Sequence, residues 1–126
     1  MAEAWARALL PGALAFSAGT APGAAVDRRA VLVMAEAGID ISAARPKHVD
    51  AFKGETFDLV VTVCANADRN CPAYWGPGKR MHRGFDDPGM AAGPGASDEE
   101  ALPVYRRVRD EIKAFVLQLP SIAGTI

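Results

Sequence analysis

The chain has 126 residues, half of them hydrophobic and 23% charged, which is enough for a single domain over 1–126 and too little for two ordinary ones. Lys plus Arg at 14 against Asp plus Glu at 15 leave a net charge of -1, giving no electrostatic reason to expect nucleic acid or an anionic membrane as partner. Two cysteines are no disulfide framework in a chain long enough to bury roughly two-thirds of its unfolded surface.

In chain order, Ala2 to Leu10 reads as a strong helix that starts at the first residue with no cap before it. The charge-free stretch Leu9 to Val26 carries Pro11, Pro22, Gly12, Gly19 and Gly23, which excludes a membrane helix. Glu3 and Arg7 fall too early for a secretory signal, so the expected compartment is the cytoplasm, with free thiols. Ala13 to Ala18, closed by Gly19, reads as a strand. Asp27 is placed to cap a helix carrying Ala30, Val31, Met34 and Ala35, with Gly38 just past its end. Pro46 to Phe52 adds a turn or two.

The clearest element is Asp58 to Cys64, a β-branched run without polar alternation, as a strand covered on both faces would be. Lys79 to Phe85, closed by Asp86-Asp87-Pro88, is a third strand, and Pro88 to Gly95 a connection inside the domain. Ser97 and Glu100 fit a capping box, but Pro103 lies within the pattern, so the regular part of the last helix is placed from Pro103. That helix aligns Tyr105, Val108, Ile112, Phe115 and Leu119 on one face, with Arg106, Arg107, Arg109, Asp110, Glu111 and Lys113 mostly in solvent. Strands alternating with helices predict an α/β fold, an open parallel sheet with helices on both faces.

Ligands bind such sheets at the carboxyl ends of the strands. There Ser17, Gly19, Cys64, Cys71, Asp86 and Asp87 would share one edge. Six residues separate Cys64 from Cys71, a spacing that suits thiol–disulfide exchange as well as it suits a small strand residue and an incidental loop thiol. Asp86-Asp87-Pro88 by itself reads as a turn, and Lys79, Arg80, His82 and Arg83 as a solvated strand edge. His48 and His82 lack zinc-ligand spacing, and no metal or cofactor is predicted.

Taken in order, Met1-Ala2-Glu3-Ala4-Trp5-Ala6, Phe16-Ser17-Ala18-Gly19-Thr20, Gly38-Ile39-Asp40-Ile41-Ser42, Val61-Thr62-Val63-Cys64, Asn70-Cys71-Pro72, His82 to Pro88 and Arg106 to Ile112 form a specific pattern. The pattern resembles the thioredoxin-coupled arsenate reductases, which are built on the low-molecular-weight protein tyrosine phosphatase fold. The resemblance spans nearly the whole chain and favours a redox role for the two cysteines. It implies a cascade in which a loop cysteine attacks arsenate, Cys64 displaces arsenite, Cys71 closes a disulfide, and thioredoxin reduces it. Asp87, before Pro88, matches the general acid. In the family a first strand and a Cys-x5-Arg loop directly precede the Met-Ala-Glu helix, and no Cys-x5-Arg occurs in these 126 residues. The resemblance therefore implies a sheet whose first, interior strand is missing between Ala13–Ala18 and Asp58–Cys64. Two further departures are Arg83, where an aromatic residue is common, and Lys47, in place of an aspartate that with Glu3 and Ser17 helps some members hold potassium.

The leading expectation is an arsenate reductase whose true start lies upstream of Met1, inactive as it stands for want of the nucleophile loop. The second is a truncated, non-catalytic, redox-sensitive binding module acting through Cys64 and Cys71, its open strand edges paired in a homodimer or hetero-complex. Phosphatase activity on tyrosine or small phosphate esters ranks last, because it too needs the missing nucleophile.

Overall fold

The β-branched run of Asp58 to Cys64 yields strand β1, Leu59–Thr62, which pairs in parallel with β2, Lys79–His82. The register sets Leu59 against Lys79 and Thr62 against His82. In the computed structural model, which describes residues 1–10, 12–18, 26–52, 55–63, 79–93 and 95–123, these two strands form the sheet. Alternation turns Leu59, Val61 and Met81 toward a core made by helices.

Helices α1 (Ala2–Leu9), α2 (Arg28–Glu36) and α3 (Pro88–Ala92) all pack on α4 (Asp98–Ala123). The stripe on α4 is Ala101, Tyr105, Val108, Ile112, Phe115, Val116 and Leu119, every one buried, and Trp5 of α1 with Val33 and Met34 of α2 complete the core. Both ends of α2 follow from its sequence. Asp27 Oδ1 accepts the Arg29 N–H at 2.9 Å. At the other end Gly38, at φ +83°, lets its own N–H reach the Ala35 carbonyl and that of Ile39 the Met34 carbonyl, a Schellman closure that needs a left-handed residue.

Three expectations change. Ala13 to Ala18 forms no strand, because a strand exists only against a neighbour; here the Ala15 carbonyl takes the Arg7 guanidinium at 3.1 Å and Phe16 packs on Phe52 and Phe57. The third strand stops at His82, although Phe85 N–H still bonds the Val63 carbonyl at 3.1 Å. The last helix begins at Asp98, ahead of Pro103. Ser97 and Glu100 close the capping box reciprocally, and the carbonyl that Pro103 leaves without its helical partner belongs to Glu99, an exposed residue. Between Pro46 and Phe52 the chain makes one 3-10 turn, Val49–Phe52.

Candidate functional site

Both strands end at the same edge, where Thr62 Oγ1 and His82 Nδ1 lie 2.8 Å apart, the hydroxyl nearly buried and the imidazole exposed. From there the chain runs through Arg83 to Asp87 along α4, held by three successive contacts. Phe85 sets its ring edge-on to Phe115 at 5.7 Å, and the Arg83 guanidinium lies over the Phe85 ring, 4.5 Å from its centroid and 6.0 Å from that of Phe115. A flat guanidinium can cover that ring as an aromatic side chain would. Asp86 pairs with Arg107 at 2.9 Å.

Asp87 then caps α3. Its Oδ1 accepts the Gly89 N–H at 3.0 Å, its carbonyl accepts from Ala91 at 2.8 Å, and Pro88 takes the first helical position, where a missing N–H costs nothing. The carboxyl group is exposed, and Oδ2 has no hydrogen-bond partner among the described residues. The arrangement can hold the carboxyl still by one oxygen and present the other to a reacting group.

Beneath this turn lies Tyr105, 2% exposed, whose hydroxyl donates to Asp27 Oδ2. Burial first, and then the hydrogen bond and charge of Asp27, push this phenol up to about 12; Arg29 opposes the shift and the Asp87 charge adds to it. The hydroxyl is close enough to α3 that a Cβ on Gly89 would approach it to 3.3 Å and Asp87 Oδ1 to 3.4 Å.

Of the residues singled out in the sequence, Asp86 and Asp87 lie in the segment that follows β2, and they and Ser17 are exposed. Cys64, Cys71 and Gly19 lie outside the described residues. Lys47 reaches toward Glu3, with Nζ 3.9 Å from Oε1, and Arg7 stands 3.7 Å from the same oxygen. That oxygen is buried and makes no hydrogen bond, so the two cations are what offset its charge. His48 faces Asp50. Among the described residues no cluster of His, Cys, Asp and Glu is suited to a metal ion, and no helix is long and apolar enough to cross a membrane. Sequence reasoning placed Tyr105 only in an apolar stripe. The available signal was its hydroxyl, which once buried requires a partner.

Comparison with known proteins gives consistent matches. The low molecular weight phosphotyrosine protein phosphatase family matches residues 1–122. An arsenate reductase of Halalkalibacterium halodurans is 43% identical over 113 residues, 89% of this chain and 78% of its own. That of Bacillus subtilis is 38% identical over 112 residues, again 89% and 78%. Among solved structures, an arsenate reductase in the reduced state superposes with a TM-score of 0.73 at 28% identity, covering 98% of this chain and 87% of the other. The arsenate reductase of Archaeoglobus fulgidus gives a TM-score of 0.73 at 28% identity, over 95% and 87%.

Proposed function

The chain belongs to the low molecular weight phosphotyrosine protein phosphatase family, and we propose that within it these residues carry the relay and the acid of an arsenate reductase. The observation behind this reading is the match across 89% of the chain, at 43% identity, to a protein named arsenate reductase. The geometry of Asp87 supports it, with one carboxyl oxygen fixed by Gly89 and the other open at the carboxyl edge.

In the proposed reaction a loop thiolate attacks arsenate, and Asp87 gives its proton to the departing oxygen, which leaves as water. The Cys64 thiolate then attacks the loop sulfur; an S–S bond forms, the As–S bond breaks, and its electron pair stays on arsenic, so arsenic(V) leaves as arsenite. Cys71 attacks Cys64, which frees the loop thiol and closes Cys64–Cys71. Thioredoxin donates the two electrons that reopen that disulfide. The backbone N–H groups and Arg of a Cys-x5-Arg loop would hold the tetrahedral oxyanion and lower the thiol's pKa. These 126 residues contain no such sequence, so by themselves they do not turn arsenate over.

The test compares the 126-residue protein with one carrying an apolar strand and a Cys-x5-Arg loop ahead of Met1, assayed with arsenate, thioredoxin, thioredoxin reductase and NADPH. NADPH is consumed only by the extended protein, and Cys64→Ser, Cys71→Ser and Asp87→Asn each lower the rate sharply. An inactive extended protein, or full activity without either cysteine, refutes the proposal.

One observation favours the second reading, a redox-sensitive binding module. Leu14 and Phe16 are exposed, at 89% and 52%. This reading requires the 126-residue protein to be folded and monodisperse as a dimer or captured complex, which light scattering reads directly.

A further inference from the structure

Helix α3 has five residues, too few to hold itself by its own hydrogen bonds, so the place of its N-cap must be set from outside. What lies beside its first turn is the Tyr105 hydroxyl, 3.3 Å from where a Cβ on Gly89 would stand. That hydroxyl cannot turn away, because it donates to Asp27 Oδ2 while Asp27 Oδ1 is engaged in capping α2. We propose that Tyr105, oriented by Asp27, is the positioning residue for Asp87: its hydroxyl is the floor on which the Asp87–Gly89 turn rests.

The inference rests on reading Asp87 as the acid for its functional meaning, but not for its geometry. Tyr105 touches no reacting atom in this scheme. It acts through Gly89, whose N–H holds Asp87 Oδ1 at 3.0 Å, and so determines which way the free oxygen Oδ2 faces. A methyl group at position 89 would fit tightly, 3.3 Å from the hydroxyl and 3.4 Å from the carboxylate, so the hydroxyl would have to give by a few tenths of an ångström. The charged and titratable groups facing the phenol are Asp27, Arg29 and Asp87, from the cap of α2, the first turn of α2 and the cap of α3.

The experiment follows the residue-89 amide proton by NMR as pH is lowered through the carboxylate range in the 126-residue protein. In the wild type this resonance moves as Asp87 is protonated, because the two are bonded. Tyr105→Phe reduces the amplitude about twofold or more, since the turn spends less time in bonding geometry. Gly89→Ala reduces it from the opposite side, and Gly89→Ala with Tyr105→Phe restores it, the new methyl filling the space the oxygen vacated. Val116→Ala, a core truncation on the same helix, lowers thermal stability and leaves the amplitude unchanged. An undiminished amplitude in Tyr105→Phe, or an equal loss in Val116→Ala, overturns the proposal. Asp87→Asn in the extended protein tests the acid separately: if it retains turnover, the acid role fails while the positioning geometry stands.

Discussion

Asp27 joins two elements, α2 and α4, through one carboxylate, so Asp27→Ala is the most informative single substitution. Oδ1 satisfies the Arg29 N–H at the start of α2, and loss of such a cap costs about 1 kcal/mol. Oδ2 accepts from Tyr105, a residue 2% exposed, and a buried hydroxyl left without a partner costs a further 1–3 kcal/mol, roughly. The sum is about 2–4 kcal/mol. With a urea m-value of about 2 kcal/mol/M, the midpoint of denaturation falls by about 1–2 M at unchanged slope. Asp27→Asn keeps one acceptor, for the α2 cap, and its amide N–H can donate to the phenol oxygen in the other place, so it loses less.

The double variant Asp27→Ala with Tyr105→Phe removes the orphaned hydroxyl together with its partner. It is therefore more stable than the sum of the two single losses implies, by about 1–2 kcal/mol of coupling. Urea denaturation followed by far-ultraviolet circular dichroism measures all four proteins. An Asp27→Ala loss below about 0.5 kcal/mol, or strict additivity in the double variant, would refute the reasoning.

Alkaline pH tests Tyr105 directly. Its folded value near 12 lies above the ordinary 10, so the protein gains stability from it below pH 10 and loses that gain, about 2 kcal/mol, as pH rises through 12; Tyr105→Phe lacks this loss in urea titrations at increasing pH. Acid acts with the opposite sign. Arginine partners hold Asp98, Glu36 and Asp110 below their ordinary values, so their stabilisation is present above about pH 4.5 and declines as pH falls below it, more weakly in high salt, as thermal midpoints across pH and ionic strength will show. The Lys47 ammonium stands 3.9 Å from the buried Glu3 Oε1, so exchanging sodium for potassium is expected to leave the melting temperature unchanged. Lys47→Asp lowers that temperature and makes it potassium-responsive. Met34 is fully buried, and Met34→Ala costs about 2–5 kcal/mol in the same denaturation assay.

Local signals predicted what local forces decide. Asp27 as a cap, Gly38 as a left-handed closure, the Ser97–Glu100 box and the stripe from Tyr105 to Leu119 each depend on residues within a few positions, and each stands in the structure. The Ala13–Ala18 strand failed because pairing is not a property of the strand itself: its apolar composition is real, but no ladder neighbour meets it among the described residues. Pro103 misled because its cost depends on where the freed carbonyl lies, and at Glu99 that is the exposed first turn. Asp86-Asp87-Pro88 was legible as a turn, whereas what supports it was not, since Asp27 and Tyr105 meet across 78 residues of sequence.

The three contacts that hold the loop ahead of α3 have a length relation that explains why they coexist. Phe85, Asp86 and Gly89 meet Phe115, Arg107 and Tyr105, so the loop descends α4 as its own numbering rises. From Tyr105 to Phe115 the helix advances about 15 Å at 1.5 Å per residue. From Phe85 to Gly89 the backbone can span at most about 14 Å. Side-chain reach covers the small difference. Asp87 sits inside this span, between the Phe85 and Gly89 anchors. Deleting Asp86 would force the loop to give up Phe85 or Gly89. Of the two, the Phe85–Phe115 contact buries more apolar surface, so the Gly89 contact over Tyr105, and with it the orientation of Asp87, is the one that yields.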